Sequence, residues 1–410
     1  MSHILQLLIA LSIIIAAAKI IGSLSAAIKQ PPVFGKIIAG LILGPSLLNM
    51  MGWPIFQPHG AEMAPAIGEV IHDFAEIGVI LLMFIAGLET DIKSVLKVGK
   101  NAFWAAAGGV ILPMGLGTWF SSYMGFPLKE SIFIGTILTA TSVSITAQTL
   151  MEIGAINSKE GSTILGAAII DDVMGIIVLS LVVAFSINPP GGSSLASNTS
   201  SIVILLVQIA AFFAIAMLVA AKFFDKILDY AVKLTTTHAL FAMTLVLCFL
   251  YAWAAEYFGK VAAITGAYIC GVMLTRSKHF EKIEHAAKVF AYPLFIPVFL
   301  IDIGLRANAR ELNGDLVFAI GIILVAIATK ILGCMGGAKA TGFTSKESLR
   351  VGIGMISRGE VGLIIASYGL THAVISLDIF SVMVIMVMAT TVVTPPLLGL
   401  VFPKKKLQEF

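Results

Sequence analysis

The sequence predicts an all-α integral membrane protein of about thirteen transmembrane helices, with two inverted repeats of six. Of its 410 residues, 58% are hydrophobic and 12% are charged, and the mean hydropathy is +1.00. Soluble domains carry about 25% charged residues, so this chain could not cover a soluble surface with polar side chains. These values exclude a soluble enzyme. They also make each charge inside an apolar run a candidate functional group.

Apolar runs of about 20 residues, long enough to cross a hydrocarbon core of about 30 Å, mark the helices. Lys and Arg fall mostly in alternate loops, eighteen on one side and four on the other. This bias predicts a multi-pass protein of the cell membrane, in contact with lipid, with the C-terminus cytoplasmic and the N-terminus outside. The predicted spans 1 to 13 are residues 4–27, 32–49, 73–92, 101–124, 130–152, 163–187, 201–224, 237–256, 260–275, 287–305, 315–338, 350–371 and 377–402.

The stretch NPPGGSSLASNTSS, residues 188–201, has the composition of a linker. Six spans precede it and six follow span 7, so the second set would start from the opposite face of the membrane. Inverted repeats of this kind are typical of secondary transporters, whose substrate site lies near the midplane. Zinc motifs and a dinucleotide-binding GxGxxG are absent from the sequence, and we expect neither a cofactor nor nucleic acid binding.

Three charges lie deep within predicted spans. Asp171 and Asp172, in span 6, are roughly 12 Å from its cytoplasmic end, and Lys330 of span 11 is at roughly 13 Å. The simpler interpretations are a carboxylate pair at a helix end and a lysine that reaches the surface along its stem. At both depths the side chains are too far from the membrane surface for these interpretations, so we expect an ion pair between Lys330 and one of the carboxylates.

Two further spans carry polar residues near the same level. Span 5 contains TATSVS, residues 139–144, with Thr141 and Ser142 close to the deep charges. Hydroxyls and opened backbone carbonyls there would suit an alkali cation, although the segment could equally be a simple kink. Span 12 contains Arg358 and Glu360, for which an internal structural salt bridge is the alternative. Four spans thus contribute polar groups to one layer.

The motifs resemble those of the monovalent cation:proton antiporter superfamily, in its bacterial sodium/proton antiporter branch. The segments that carry the resemblance cover the chain in order: PPVFGKIIAGLILGPSLL, FAEIGVILLMFIAGLE, TATSVSI, IIDDVMGII and ISRGEVGLIIA. The resemblance implies that spans 5 and 12 are partly unwound and cross at the ion site. It also implies a homodimer. The implied domains are scaffold 1–92 and 235–308, core 93–187 and 309–402, linker with span 7 at 188–234, and a basic tail at 403–410.

Carried over by position, Asp172 resembles the cation- and proton-binding carboxylate, and Asp171 resembles the acid that pairs with Lys330. Thr141 and Ser142 complete the sodium ligands that the resemblance implies. Two acids and a lysine are typical of the electrogenic members, whereas electroneutral relatives have Asn before the acid and Arg in place of the lysine. We therefore expect a transporter, not an enzyme, that exports Na⁺ in exchange for protons and serves pH homeostasis.

Several alternatives stay open from the sequence. Transport of K⁺ or Li⁺ is compatible with the same motifs, although potassium-efflux relatives usually carry a nucleotide-binding domain and only PKKKLQEF follows Phe402. A cation channel is a further alternative, but the sequence contains no TVGYG-like selectivity filter. A symporter for organic anions would need unpaired cationic groups. A receptor role, for example in spore germination, would leave the buried carboxylates unexplained.

Overall fold

The computed structural model describes residues 2–28, 30–57, 66–90, 99–186, 195–306, 316–371 and 373–402. Within those ranges it is entirely helical, with sixteen α-helices and two 3₁₀ turns and with no strand. The predicted all-α membrane fold is confirmed. The helices are α1 (His3–Ala27), α2 (Pro32–Leu43), α3 (Ile67–Leu88), α4 (Gly99–Tyr123), α5 (Leu128–Thr139), α6 (Val143–Glu152), α7 (Lys159–Ser186), α8 (Leu195–Lys233), α9 (Ala239–Tyr257), α10 (Ala263–Leu274), α11 (Phe280–Ala291), α12 (Phe295–Leu305), α13 (Leu316–Ala340), α14 (Ser345–Gly354), α15 (Glu360–Thr371) and α16 (Leu377–Val401).

Fewer than thirteen of the described helices are long and apolar enough to cross a membrane on their own. Among the described residues, nine spans qualify, or ten if the bent pair α11 and α12 is one span. Three shorter apolar helices accompany them: Pro32–Leu43, Ala263–Leu274 and Val361–Leu370. Every predicted span overlaps one of these segments, but the number thirteen itself stays a prediction.

Several predicted boundaries are wrong, and two of them show the reason. The predicted linker 188–201 ends early, because α8 already begins at Leu195. Its Ser and Asn residues suit the first turn of a helix as well as a loop, which is why composition alone misplaced the boundary. Span 10 begins at Phe280 instead of residue 287, since Ile283, Ala287 and Ala291 are spaced by four and form a buried helical face. Residues 188–194 and the tail 403–410 lie outside the described residues.

Span 10 is bent by 44° between α11 and α12. Pro293 lies in the three-residue break between the two helices, where its missing backbone N–H would interrupt the hydrogen-bond ladder. Asp302 in α12 forms a local pair with Arg306, at 3.0 Å, and also contacts His72 of α3 at 3.0 Å.

The chain divides into two compact units. The first comprises Met1–Ile92 and Leu205–Arg306, and the second comprises Lys93–Ile204 and Ala307–Phe410. In the first unit, α2 packs closely on α12 where Gly40 and Gly304 meet. All seven predicted site residues belong to the second unit.

In the second unit, α4 and α13 pack backbone against backbone. A Cβ atom added to Gly108 would collide with the main chain of Gly333, and one added to Gly333 would collide with Gly108. Gly337, one turn further along α13, is equally close to the backbone of Trp104. Small residues four apart allow this close approach between membrane helices. The contact brings Lys330 of α13 within reach of the main chain of α4.

Candidate ion-binding site

Two helix breaks meet at the centre of the second unit. The first separates α5 from α6 at residues 140–142, and the second separates α14 from α15 at residues 355–359. The Ser142 N–H donates to the Ser357 carbonyl at 2.7 Å, so the two broken segments are hydrogen-bonded to each other. A Cβ atom on Gly359 would lie 2.7 Å from Cβ of Ser142, so only glycine fits this approach. The implied crossing of partly unwound helices is therefore present.

Side-chain hydroxyls compete with the backbone ladder near the end of α5. Thr136 Oγ1 donates to the Ile132 carbonyl at 2.9 Å, and Thr139 Oγ1 donates to the Thr136 carbonyl at 2.7 Å. Such bonds offer carbonyls an alternative to the next helical turn. They account locally for a helix that ends at Thr139 in the middle of an apolar span.

Lys330 is completely buried and has three acceptors. Its Nζ donates to Asp171 Oδ1 at 2.9 Å, to the Gly109 carbonyl at 2.8 Å and to the Thr139 carbonyl at 2.7 Å. The Lys330 and Asp171 side chains are 0% and 1% exposed. The ammonium thus uses all three of its hydrogens, and the pair carries no net charge. A buried ion pair is tolerated when its remaining hydrogen-bonding groups are satisfied, and the two carbonyls satisfy those of the ammonium.

Asp172 differs from Asp171 in exposure. The two residues are adjacent in α7, so their side chains point about 100° apart around the helix axis. Asp171 is buried against Lys330, whereas Asp172 is half-buried. One carboxylate is therefore held inside the unit, and its neighbour lies on a more accessible face of the same helix.

The two hydroxyl residues predicted as ligands lie in the first break. Thr141 is buried beside the Asp171 carboxyl group, and among the described residues its Oγ1 has no hydrogen-bond partner of ordinary geometry. Ser142 is half-buried, and its Oγ lies 3.1 Å from the Ser144 Oγ. A hydroxyl oxygen next to a carboxylate suits a cation, which can bind both oxygens.

Arg358 binds backbone carbonyls. Its guanidinium donates to the Leu138 carbonyl at 2.9 Å, to the Ala326 carbonyl at 2.9 Å and to the Ile356 carbonyl at 2.9 Å. Arg358 is 0% exposed. Glu360, the other charge that the sequence placed in this layer, begins α15, but its side chain lies outside the described part of the structure.

The buried side chains of Lys330 and Arg358 both bind the end of α5. Lys330 binds the carbonyl of Thr139, and Arg358 binds the carbonyl of Leu138, the residue before it. The last carbonyls of an α-helix have no partners within the helix and carry a partial negative charge. Lys330 and Arg358 therefore stabilise the interrupted end of α5 in the membrane. Sequence reasoning missed these acceptors, because a backbone carbonyl leaves no trace in a side-chain pattern.

The chain is similar to proteins named as sodium/proton antiporters. The chain is 38% identical to "Probable Na(+)/H(+) antiporter GerT" from Bacillus cereus, over 95% of this chain and 97% of that protein. It is 34% identical to "Na(+)/H(+)-K(+) antiporter GerN" from the same organism, over 96% of each. The solved structure of the sodium proton antiporter MjNhaP1 from Methanocaldococcus jannaschii has the same fold, with a TM-score of 0.67 and 17% identity over 99% of each chain. The profile of the family described as "Sodium/hydrogen exchanger, transmembrane" matches residues 10–403, and the chain belongs to that family.

Proposed function

We propose that this protein exports Na⁺ across the cell membrane in exchange for protons, and that the Asp171–Asp172 pair binds both ions in turn. The observation that carries the proposal is the buried Asp171–Lys330 ion pair beside a half-buried Asp172, at the point where two helix breaks meet. Relatives named as Na⁺/H⁺ antiporters support the ion assignment.

The site can hold a proton or a sodium ion at one position. A carboxylate oxygen binds either a proton or a hard cation, so Asp172 can hold either ion. A sodium ion would bind Asp172 and Asp171 together with the Thr141 and Ser142 oxygens. Because both ions need the same carboxylate oxygens, each excludes the other. This competition is the chemical basis of exchange.

Lys330 makes the exchange electrogenic in this proposal. When sodium takes up the Asp171 carboxylate, the Lys330 ammonium loses its counter-ion and its proton becomes costly to keep in a buried site. Two protons are then released, one from Asp172 and one from Lys330, for each sodium ion bound. Two protons inward against one sodium ion outward move one net charge. The membrane potential supplies about 2.3 kcal/mol for each charge per 100 mV.

Transport requires the site to open to each side in turn. In the proposed mechanism the second unit is the ion-carrying core, and it moves against a scaffold made of the first unit. The scaffold would form the homodimer contact. The N-terminus would lie outside the cell and the C-terminus in the cytoplasm, as the distribution of Lys and Arg predicts.

Exchange of K⁺ for protons is the second candidate. It is favoured by GerN, whose name includes both ions and which is 34% identical to this chain. Backbone and hydroxyl oxygens form much of the proposed cavity, and these ligands accept either ion. A comparison of Na⁺, K⁺ and Li⁺ in the same vesicles separates the two candidates.

The decisive experiment uses purified protein in proteoliposomes with an imposed pH gradient. We expect addition of Na⁺ to dissipate the gradient, and Asp172→Asn to abolish this response. Asp378→Asn is the matched control, because it makes the same chemical change at an exposed position in the same unit. Wild-type rates in the Asp172→Asn variant would rule out the proposed role of Asp172.

A further inference from the structure

Carbonyl groups at the second helix break accept hydrogen bonds from three different parts of the second unit. In an uninterrupted α-helix each carbonyl accepts from the N–H four residues later. Here the Gly354 carbonyl accepts from Thr146 Oγ1 of α6 at 2.8 Å, and the Ser357 carbonyl accepts from the first break at 2.7 Å. The Arg358 carbonyl accepts from Thr391 Oγ1 of α16. Donors from neighbouring elements therefore replace part of the helical ladder.

Three buried threonines lie close together in α16: Thr390, Thr391 and Thr394. Thr390 Oγ1 donates to the Val387 carbonyl at 2.9 Å, and Thr394 Oγ1 donates to the Thr390 carbonyl at 2.7 Å. Such bonds to the same helix are usual for threonine in an apolar helix. The Thr391 hydroxyl donates instead to a carbonyl of another segment, and it thereby links α16 to the second break.

The contact with Thr391 fixes the main chain of Arg358, whose side chain reaches the end of α5. The guanidinium donates to the Leu138 carbonyl at 2.9 Å, and Arg358 is 0% exposed. The first break, which contains Thr141 and Ser142, begins two residues after Leu138. A shift of the Arg358 main chain would move the guanidinium, and with it the segment that carries the two hydroxyls. Thr391 is therefore connected to the proposed ligands through Arg358 and α5.

A second connection between Thr391 and the first break is shorter. Ser357, the residue before Arg358, accepts from the Ser142 N–H at 2.7 Å. Gly359, the residue after Arg358, approaches Ser142 so closely that an added Cβ atom would lie 2.7 Å from the Ser142 Cβ. The residue that Thr391 holds thus lies between the two residues that contact Ser142. Movement of the Arg358 main chain would change both contacts.

We propose that Thr391 is a positioning residue of the candidate ion site: its hydroxyl holds the Arg358 main chain and so sets the distances among the oxygens that bind the cation. The inference rests on the proposed function and adds to it a residue from α16, a helix that carries none of the charges or hydroxyls assigned to the site above. In this role Thr391 acts through Arg358 and does not bind the cation itself. Loss of a group that orients the ligands of a metal lowers the metal affinity by about 10- to 100-fold.

The alternative is that Thr391 only stabilises the packing of α16 against its neighbours. The two explanations differ in what they predict for apparent affinity. Loss of a packing contact lowers the amount of folded protein and leaves the KM for the cation unchanged, whereas misplaced ligands raise the KM. They also differ in which substitution restores function. Thr391→Ser keeps the hydroxyl and loses the methyl group, so it should keep the affinity only if the hydroxyl is the group that matters.

The test varies the Na⁺ concentration in proteoliposomes that contain Thr391→Val, Thr391→Ser or Thr394→Val. Thr394→Val is the matched control, because Thr394 is also buried in α16 and its hydroxyl bonds the backbone of the same helix. We expect the KM for Na⁺ to rise about tenfold in Thr391→Val and to stay within about twofold of wild type in the other two variants. If Thr391→Val does not fold, Thr391→Ala takes its place, because it removes the hydroxyl and places no methyl group against the Arg358 carbonyl.

A second readout measures binding without transport. Isothermal titration calorimetry of the purified proteins with Na⁺ should give a Kd about tenfold higher for Thr391→Val than for Thr394→Val. A wild-type KM and Kd in Thr391→Val would overturn the positioning role, and so would an equal rise in Thr391→Ser or in Thr394→Val. If Asp172→Asn abolishes exchange in the same assay, the proposed function stands in each of these cases. If the wild-type protein shows no Na⁺-dependent exchange, the proposed function itself fails, and the positioning role fails with it.

Discussion

The Lys330–Asp171 pair yields a quantitative prediction. Lys330→Met keeps an unbranched side chain of similar length but removes the ammonium and its three hydrogen bonds, to Asp171, Gly109 and Thr139. Removing one partner of a buried ion pair costs about 3 to 5 kcal/mol, since the other charge stays buried without compensation. We expect the free energy of unfolding to fall by that amount.

A double-mutant cycle separates the pair from the other contacts of the lysine. Asp171→Asn alone leaves the ammonium without its counter-ion, and the double variant Lys330→Met/Asp171→Asn removes both charges. The double variant should be more stable than the sum of the single effects implies, by about 1 to 3 kcal/mol. Lys339→Met is the control in the same helix: it is exposed and should change stability by less than about 0.5 kcal/mol.

Unfolding in detergent, followed by circular dichroism, measures the stability of the wild type, of the two single variants, of the double variant and of the Lys339→Met control. Strictly additive single effects would refute the view that the two charges compensate each other. Transport provides the functional counterpart. Lys330→Met should make exchange insensitive to an imposed membrane potential, and unchanged voltage dependence would contradict the proton-carrying role of Lys330.

Two further predictions concern the framework around the site. Gly333→Ala should destabilise the protein by about 1 to 3 kcal/mol, because the added methyl group collides with the main chain of Gly108. Gly336→Ala is the control on the same helix and should keep the wild-type stability, because its added methyl group meets no atom within 4 Å. Equal Tm values for the two variants would argue against the close packing. Arg358→Lys keeps the charge but cannot reach three carbonyls, and each carbonyl left unpaired costs about 1 to 3 kcal/mol. A thermal melt compares it with Arg276→Lys at an exposed position, and a wild-type Tm for Arg358→Lys would show that charge alone suffices.

The deep charges could be located from the sequence because ionisable residues are rare in apolar spans. The rise of 1.5 Å per residue gave similar depths for Asp171 and Lys330, and their atoms are 2.9 Å apart in the structure. The partners of Arg358 could not be found in this way. An acidic residue two positions away, Glu360, left an internal salt bridge open as an alternative. The hydrogen bonds run instead to carbonyls on α5, on α13 and in the helix break that contains Arg358 itself.

Helix boundaries were predictable where polarity changes sharply and unpredictable where it does not. The start of α11 was missed because its exposed face is rich in Lys and Glu, so the whole segment looked like a basic loop. The start of α8 was missed because Ser, Asn and Thr occur in linkers and in first helical turns alike. The backbone hydrogen bond between Ser142 and Ser357 depends on tertiary packing of distant segments, and no local pattern predicts it.

That backbone bond has a consequence for how ion preference can change. The Ser142 N–H and the Ser357 carbonyl hold the two interrupted segments at a fixed spacing, and the size of the proposed ion site depends on that spacing. A substitution that alters only the bend at residues 140–142 would widen or narrow the proposed site while every proposed ligand atom keeps its identity. We therefore expect variants selected for a different alkali ion to carry changes of backbone conformation in the two breaks more often than changes of the carboxylates.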